Sequence, residues 1–226
     1  MPQRIRPRSV GVAGRAPARA CTLIELLAVI AVLTILVSLL LPSIGAAQAL
    51  ARRSQTRLQF SRWSAALELY RQEYGCYPTL GTDGKVATAA DALRFVRTLS
   101  GRNPDGTPVA DPVDLNGNVK RIAFCVFVPA DFFDPSRPVG SVDYSGDELL
   151  CDAFGNIEIG ILIDRTGDGI VKPGDDGPVA AVRSAAGGAA FAPSRVDLPT
   201  TGVRSGVLFF SAGRGAVSGD LVLSWK

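Results

Sequence analysis

The chain has no histidine among its 226 residues, one methionine, two tryptophans and four cysteines. Without histidine, imidazole-based catalysis and the usual zinc sites are excluded. Cys21, Cys76, Cys125 and Cys151 form no CxxC pair. No serine has a histidine to activate it, and no strand-helix context makes Gly213-Arg214-Gly215 a phosphate loop. Asp147-Glu148 reads as a pair of surface carboxylates. No internal repeat of useful length is visible. The net charge of +3 and the pI of 8.8 come largely from Arg4, Arg6, Arg8, Arg15 and Arg19 in a leader with no acid. Without those five arginines the side-chain balance is −2. The basic total is therefore no sign of nucleic-acid binding, and no nucleic-acid partner is expected.

The run from Cys21 to Leu41 carries one ionisable side chain besides the thiol, Glu25. Such a run is long enough to cross a bilayer as a helix, which needs roughly 20 apolar residues. An acid inside such a run costs on the order of 2–3 kcal/mol, which makes Glu25 a functional candidate. The arginines ahead of it fit a cytoplasmic N-terminus, with the remainder exported. In a secretory signal the apolar core precedes the cut, whereas here it follows Cys21. A plain single-pass anchor is the simpler reading.

Ala20-Cys21-Thr22-Leu23-Ile24-Glu25-Leu26-Leu27 resembles the leader junction and N-terminal helix of type IV pilins and type II secretion pseudopilins. The resemblance implies cleavage by a prepilin peptidase between Ala20 and Cys21, where that family usually has Gly and Phe. It implies N-methylation at Cys21 and an assembly role for Glu25, paired with the new amine of a neighbouring subunit. Pro42 then falls at mature position 22, where the family commonly has a proline that kinks the helix. Tyr70 to Pro78, Asp152-Ala153-Phe154-Gly155-Asn156 and the stretch from Ser211 to Trp225 resemble parts of the major pseudopilin.

The expected fold is α+β and pilin-like, a long N-terminal helix with a transmembrane first half packed on a small antiparallel sheet. Residues 1–20 are the expected leader, 21–43 the membrane or filament-core helix, and 44–226 its amphipathic continuation with a periplasmic domain. Trp63, Ala66, Leu67, Tyr70 and Tyr74 recur at spacings of three and four, one helical face, and Gly75 supplies a stop. Asp91–Leu99 reads as a short helix. Arg121–Val128, Ile157–Ile163, Val207–Phe210 and Leu221–Trp225 read as strands. Residues 101–118 and 129–146 read as loops.

Two further features carry chemistry. Asp164, Thr166, Asp168 and Asp175 match part of an EF-hand-type calcium loop, although Lys172 interrupts it and no helices flank it. A solvated acidic turn is the other reading; calcium is the one cofactor considered. In an exported domain Cys125 and Cys151 form a disulfide or remain buried thiols. The resemblance implies a structural, non-enzymatic subunit of a type II secretion pseudopilus at the inner membrane. Its partners would be prepilin peptidase, like subunits and an inner-membrane assembly platform. A type IV pilus subunit, a minor pilin for adhesion or DNA uptake, and an unprocessed membrane-anchored binding domain are the alternatives.

Overall fold

The structure, a computed structural model, describes residues 23–111, 113, 116–133 and 149–226, the side chains of 39–43 excepted. The expected leader, the Ala20–Cys21 junction and the Pro42 side chain lie outside the described residues. The chain divides into two compact units at Ala46/Ala47.

Helix α1 runs Leu23–Tyr74, 52 residues, with no helix breaker in its first turns. Within the first unit the Thr34 and Ser38 hydroxyls donate to the carbonyls of Ala31 and Ile35, each at 2.8 Å. The expected transmembrane first half is corrected here. Among the described residues no helix is long and apolar enough to cross a membrane. The expected pilin-like architecture gives way to an α+β chain with small sheets.

In the second unit α1 ends at Gly75, whose φ of 80° suits glycine and whose N–H donates to Arg71 O at 2.8 Å. Helix α2, Ala89–Ser100, begins on a Thr88–Asp91 capping box and ends on left-handed Gly101. Its buried face is Ala92, Phe95, Val96 and Leu99. The principal sheet has four antiparallel strands, β1 (Lys85–Val86), β4 (Ile159–Ile163), β7 (Val207–Ser211) and β8 (Val222–Leu223), in that order. Two small ladders join β2 (Phe132–Phe133) to β3 (Leu149–Leu150) and β5 (Ile170–Val171) to β6 (Val203–Arg204).

Every residue of β4 and β7 is buried, so these strands read as continuous apolar runs. One face meets α1 and α2: Phe60, Trp63, Leu67, Phe95 and Leu99 pack with Ile159, Ile161 and Phe209. The other face, Leu162, Leu208 and Phe210, is covered by Val171, Val182 and Leu198. Gly160 pairs directly with Phe210, and a Cβ at Gly160 would fall against that ring.

The expected strand Arg121–Val128 forms no ladder. It runs beside the end of α2, where the N–H groups of Phe124 and Cys125 both donate to Leu99 O, at 2.8 and 3.0 Å. That shared acceptor replaces a strand partner, while Phe124, Cys125 and Phe127 still face the core.

Candidate functional site

Glu25 stands in the first turn of α1 and is exposed. The partial positive charge of a helix N-terminus favours a carboxylate there. Along the following turns Leu23, Ile24, Leu26, Leu27, Val29, Ile30 and the other large apolar residues to Val37 are between 47% and 76% exposed. A contiguous apolar surface of that length is not left to water in a stable assembly. It needs a cover of lipid or of other apolar helices. The Cys21 amine expected to pair with Glu25 lies outside the described residues.

The acidic loop after β4 is built differently from the sequence expectation. Asp164 is buried, and its carboxylate accepts from Gly167 N at 2.6 Å, Gly169 N at 2.8 Å and the Thr166 hydroxyl at 3.2 Å. Asp168 accepts from Ile170 N at 2.9 Å and pairs with Lys172, which holds its carboxyl below the usual range. Buried Asp176 accepts from the backbone of Arg165, Thr166 and Lys172. Asp164, Thr166 and Asp168 are thus brought together, Asp175 is left exposed outside, and Asp176 closes the loop. Only their adjacency to Gly177 in sequence distinguished Asp176 from Asp175, and that was too weak a signal.

These oxygens point at backbone N–H groups and an ammonium, so they do not converge on a common centre. Among the described residues no group of three or more His, Cys, Asp or Glu is placed to hold a metal ion. In this arrangement the Asp164, Asp168 and Asp176 carboxylates are taken up by donors of the loop itself. Calcium titration of the full chain is expected to leave the melting temperature unchanged. A rise of several degrees at millimolar calcium would show the loop opening to take the ion.

The loop also anchors the end of α1. Arg71 Nη1 lies 4.0 Å from the Asp164 carboxylate and donates to the Tyr77 hydroxyl at 3.3 Å. Tyr77 in turn donates to Glu68 Oε1 at 2.6 Å. Burial first, and then this bond to a carboxylate, pushes the Tyr77 pKa up to about 12, so it remains a donor. Gly206 passes so close to Tyr77 and Glu68 that no side chain fits there.

The Asp152–Asn156 turn is a second buried polar node. Asp152 Oδ1 accepts from Phe154 N at 2.8 Å and Asn156 N at 2.9 Å. Its Oδ2 accepts from Asn156 Nδ2 at 2.8 Å and the Ser211 hydroxyl at 2.6 Å. Asn156 Nδ2 also donates to Gly213 O, and its Oδ1 accepts from Ala185 N, both at 2.8 Å. Three separated segments meet on these two side chains. The chemistry is structural: every group is satisfied internally.

No protein-family model, curated protein or solved structure matches this chain. The functional reading therefore rests on its own residues.

Of the two readings open for Cys125 and Cys151, the structure has the second: both are buried free thiols. Each thiol has its own carbonyl, Val126 O at 3.7 Å for Cys125 and Ala130 O at 3.9 Å for Cys151. Burial pushes their pKa values up to about 11 and about 12, so both are protonated and unreactive at neutral pH. Between them in the chain, buried Asp131 accepts from Gln59 at 2.9 Å and from Arg62 at 2.5 Å. Asp131 had no signal in the sequence.

Proposed function

We propose that this chain is a structural subunit of a type II secretion pseudopilus, assembled through its N-terminal helix. One observation carries the reading: large apolar side chains exposed along α1 from Leu23 to Val37, with a single acid, Glu25, in the first turn. The residues before it support the same reading, since a cut between Ala20 and Cys21 would put that acid at mature position five. Apolar helices of neighbouring subunits cover each other's exposed faces. The Glu25 carboxylate, desolvated among them, is balanced by the freed amine of Cys21 on the next subunit. Removing the arginine-rich leader both creates that amine and strips five positive charges from the assembling end. The remaining partners are the peptidase and an assembly platform, at the outer side of the cytoplasmic membrane.

Mass spectrometry of the native protein tests this. A mature N-terminus at Cys21, carrying one methyl group on its amine, is the expected result. Glu25→Ala is expected to be processed normally and to form no filaments. An intact Met1, or a cut elsewhere, overturns the reading.

A further inference from the structure

Arg53 and Arg57 lie one turn apart on α1 and share a helix face. With Asp197, Ser218, Gly219, Leu221, Leu223 and Lys226 they line a cleft of about 180 Å³. Arg53 is fixed in it: Nη2 donates to Gly219 O at 3.1 Å and Leu221 O at 2.9 Å. Lys226 is engaged by Asp197 Oδ1 at 2.6 Å and Val196 O at 3.4 Å. Arg57 makes no hydrogen bond or ion pair among the described residues. Three cations thus face one carboxylate, and one guanidinium is unspent. The surroundings are not those of a small-anion site. Val196 and Val217, next to cleft residues in the chain, are 85% and 59% exposed. An apolar rim around a charged centre suits a protein partner.

Among the described residues the carboxylates on offer are few. Among the described residues only Asp83 and Asp175 make no hydrogen bond or ion pair. Asp175 shares its loop with Arg165, whose guanidinium lies 3.8 Å from where a Gly177 side chain would begin. Asp83 is the freer of the two. It is exposed, at φ 52°, in the turn bridged by Thr82 and Lys85 that opens β1. Strand β1 is one edge of the principal sheet, and β8, which contributes Leu223 to the cleft, is the other.

We propose that the Arg57 cleft receives the Asp83 turn of a second copy of this chain. The two surfaces are different and lie on opposite sheet edges, so the contact is head-to-tail and can propagate without closing on itself. This rests on the filament reading above, and it names a contact made by the folded domains in addition to that of the N-terminal helices.

Paired substitutions in the full chain test it, in a Cys76→Ser background. Arg57→Cys on one copy and Asp83→Cys on another are expected to cross-link within filaments. Arg57→Glu is expected to weaken assembly about tenfold or more, through like-charge repulsion against Asp83. Combining Arg57→Asp with Asp83→Arg should restore it. Unchanged melting of each variant shows that the fold is retained, and the milder Arg57→Gln serves if Arg57→Glu does not fold. Wild-type assembly by Arg57→Glu, or failure of the swapped pair to restore assembly, overturns the contact while leaving the filament reading intact. Binding of inorganic phosphate that depends on Arg57 without any effect on assembly also overturns it. Absence of filaments from the wild-type chain removes the filament reading itself.

Discussion

Asp152→Ala is expected to destabilise the second unit by about 4 kcal/mol, read as the shift of the urea midpoint for the full chain in mild detergent. The carboxylate is 2% exposed and is the acceptor for four donors. Truncation leaves Phe154 N, Asn156 N and the Ser211 hydroxyl facing an apolar methyl. Each buried donor left without a partner costs about 1–3 kcal/mol, and neighbours in one network do not add in full. Asp152→Asn is expected to recover little, because its amide would present a donor to Asn156 Nδ2 or to backbone N–H groups. A loss below about 1 kcal/mol for alanine would show that the node is dispensable.

The same site has a pH signature of definite sign. Burial, outweighing the hydrogen bonds that oppose it, raises the Asp152 pKa from the ordinary 3.8. The folded state therefore holds this proton more tightly than the unfolded chain does. The resulting stabilisation is fully present below pH 3.8 and is lost as pH rises through the folded value. The gap between wild type and Asp152→Ala should narrow over that window as pH rises. A gap that widens instead would mean that the hydrogen bonds to the ionised form outweigh burial.

Trp63→Ala is expected to cost about 4 kcal/mol by the same measurement, the usual range for emptying a fully buried large aromatic site. Trp63 is 0% exposed. It meets Phe95 edge-on at 5.2 Å and Phe209 at 5.7 Å, with Phe60 at 5.9 Å and Phe127 at 6.4 Å. No alanine rearrangement can reproduce contacts from α1, α2, the 121–128 segment and β7 at once. Its indole N–H has no partner among the described residues. Trp63→Phe removes that orphan donor while losing part of the ring volume. The two effects oppose each other, so the expected loss is below about 1.5 kcal/mol. A Trp63→Phe loss as large as that of alanine would show that the indole nitrogen has a partner.

What could be read in the sequence follows from which forces were local. The apolar spacing from Trp63 to Tyr74 and the stop at Gly75 are written in adjacent residues, and α1 ends as expected. The cores of α2, β4, β7 and β8 were legible for the same reason. Thr88-Ala89-Ala90-Asp91 could have been recognised as a capping box, but was not. Arg121–Val128 has strand composition and takes a helix-end carbonyl as its acceptor, a tertiary choice that no local pattern encodes. The acidic loop was located correctly and its wiring was not, because Lys172 and Asp176 act across several residues. The Arg57 cleft was invisible, being assembled from α1, a turn and the last strand. Glu25 was singled out by sequence alone.

The pairing of Gly160 with Phe210 bears on how the chain avoids misfolding. In most half-exposed sheets a strand that slips by one position shows apolar groups to water and is rejected. Strands β4 and β7 are buried on both faces, so such an error would go unpunished by solvent. Shape does the proofreading instead. The Phe210 ring needs a gap opposite it, and Gly160 is the one residue in β4 without a side chain to block it. Sliding β7 along β4 by one position in either direction sets that ring against Ile159 or Ile161. One missing methyl thus sets the alignment of the whole central ladder.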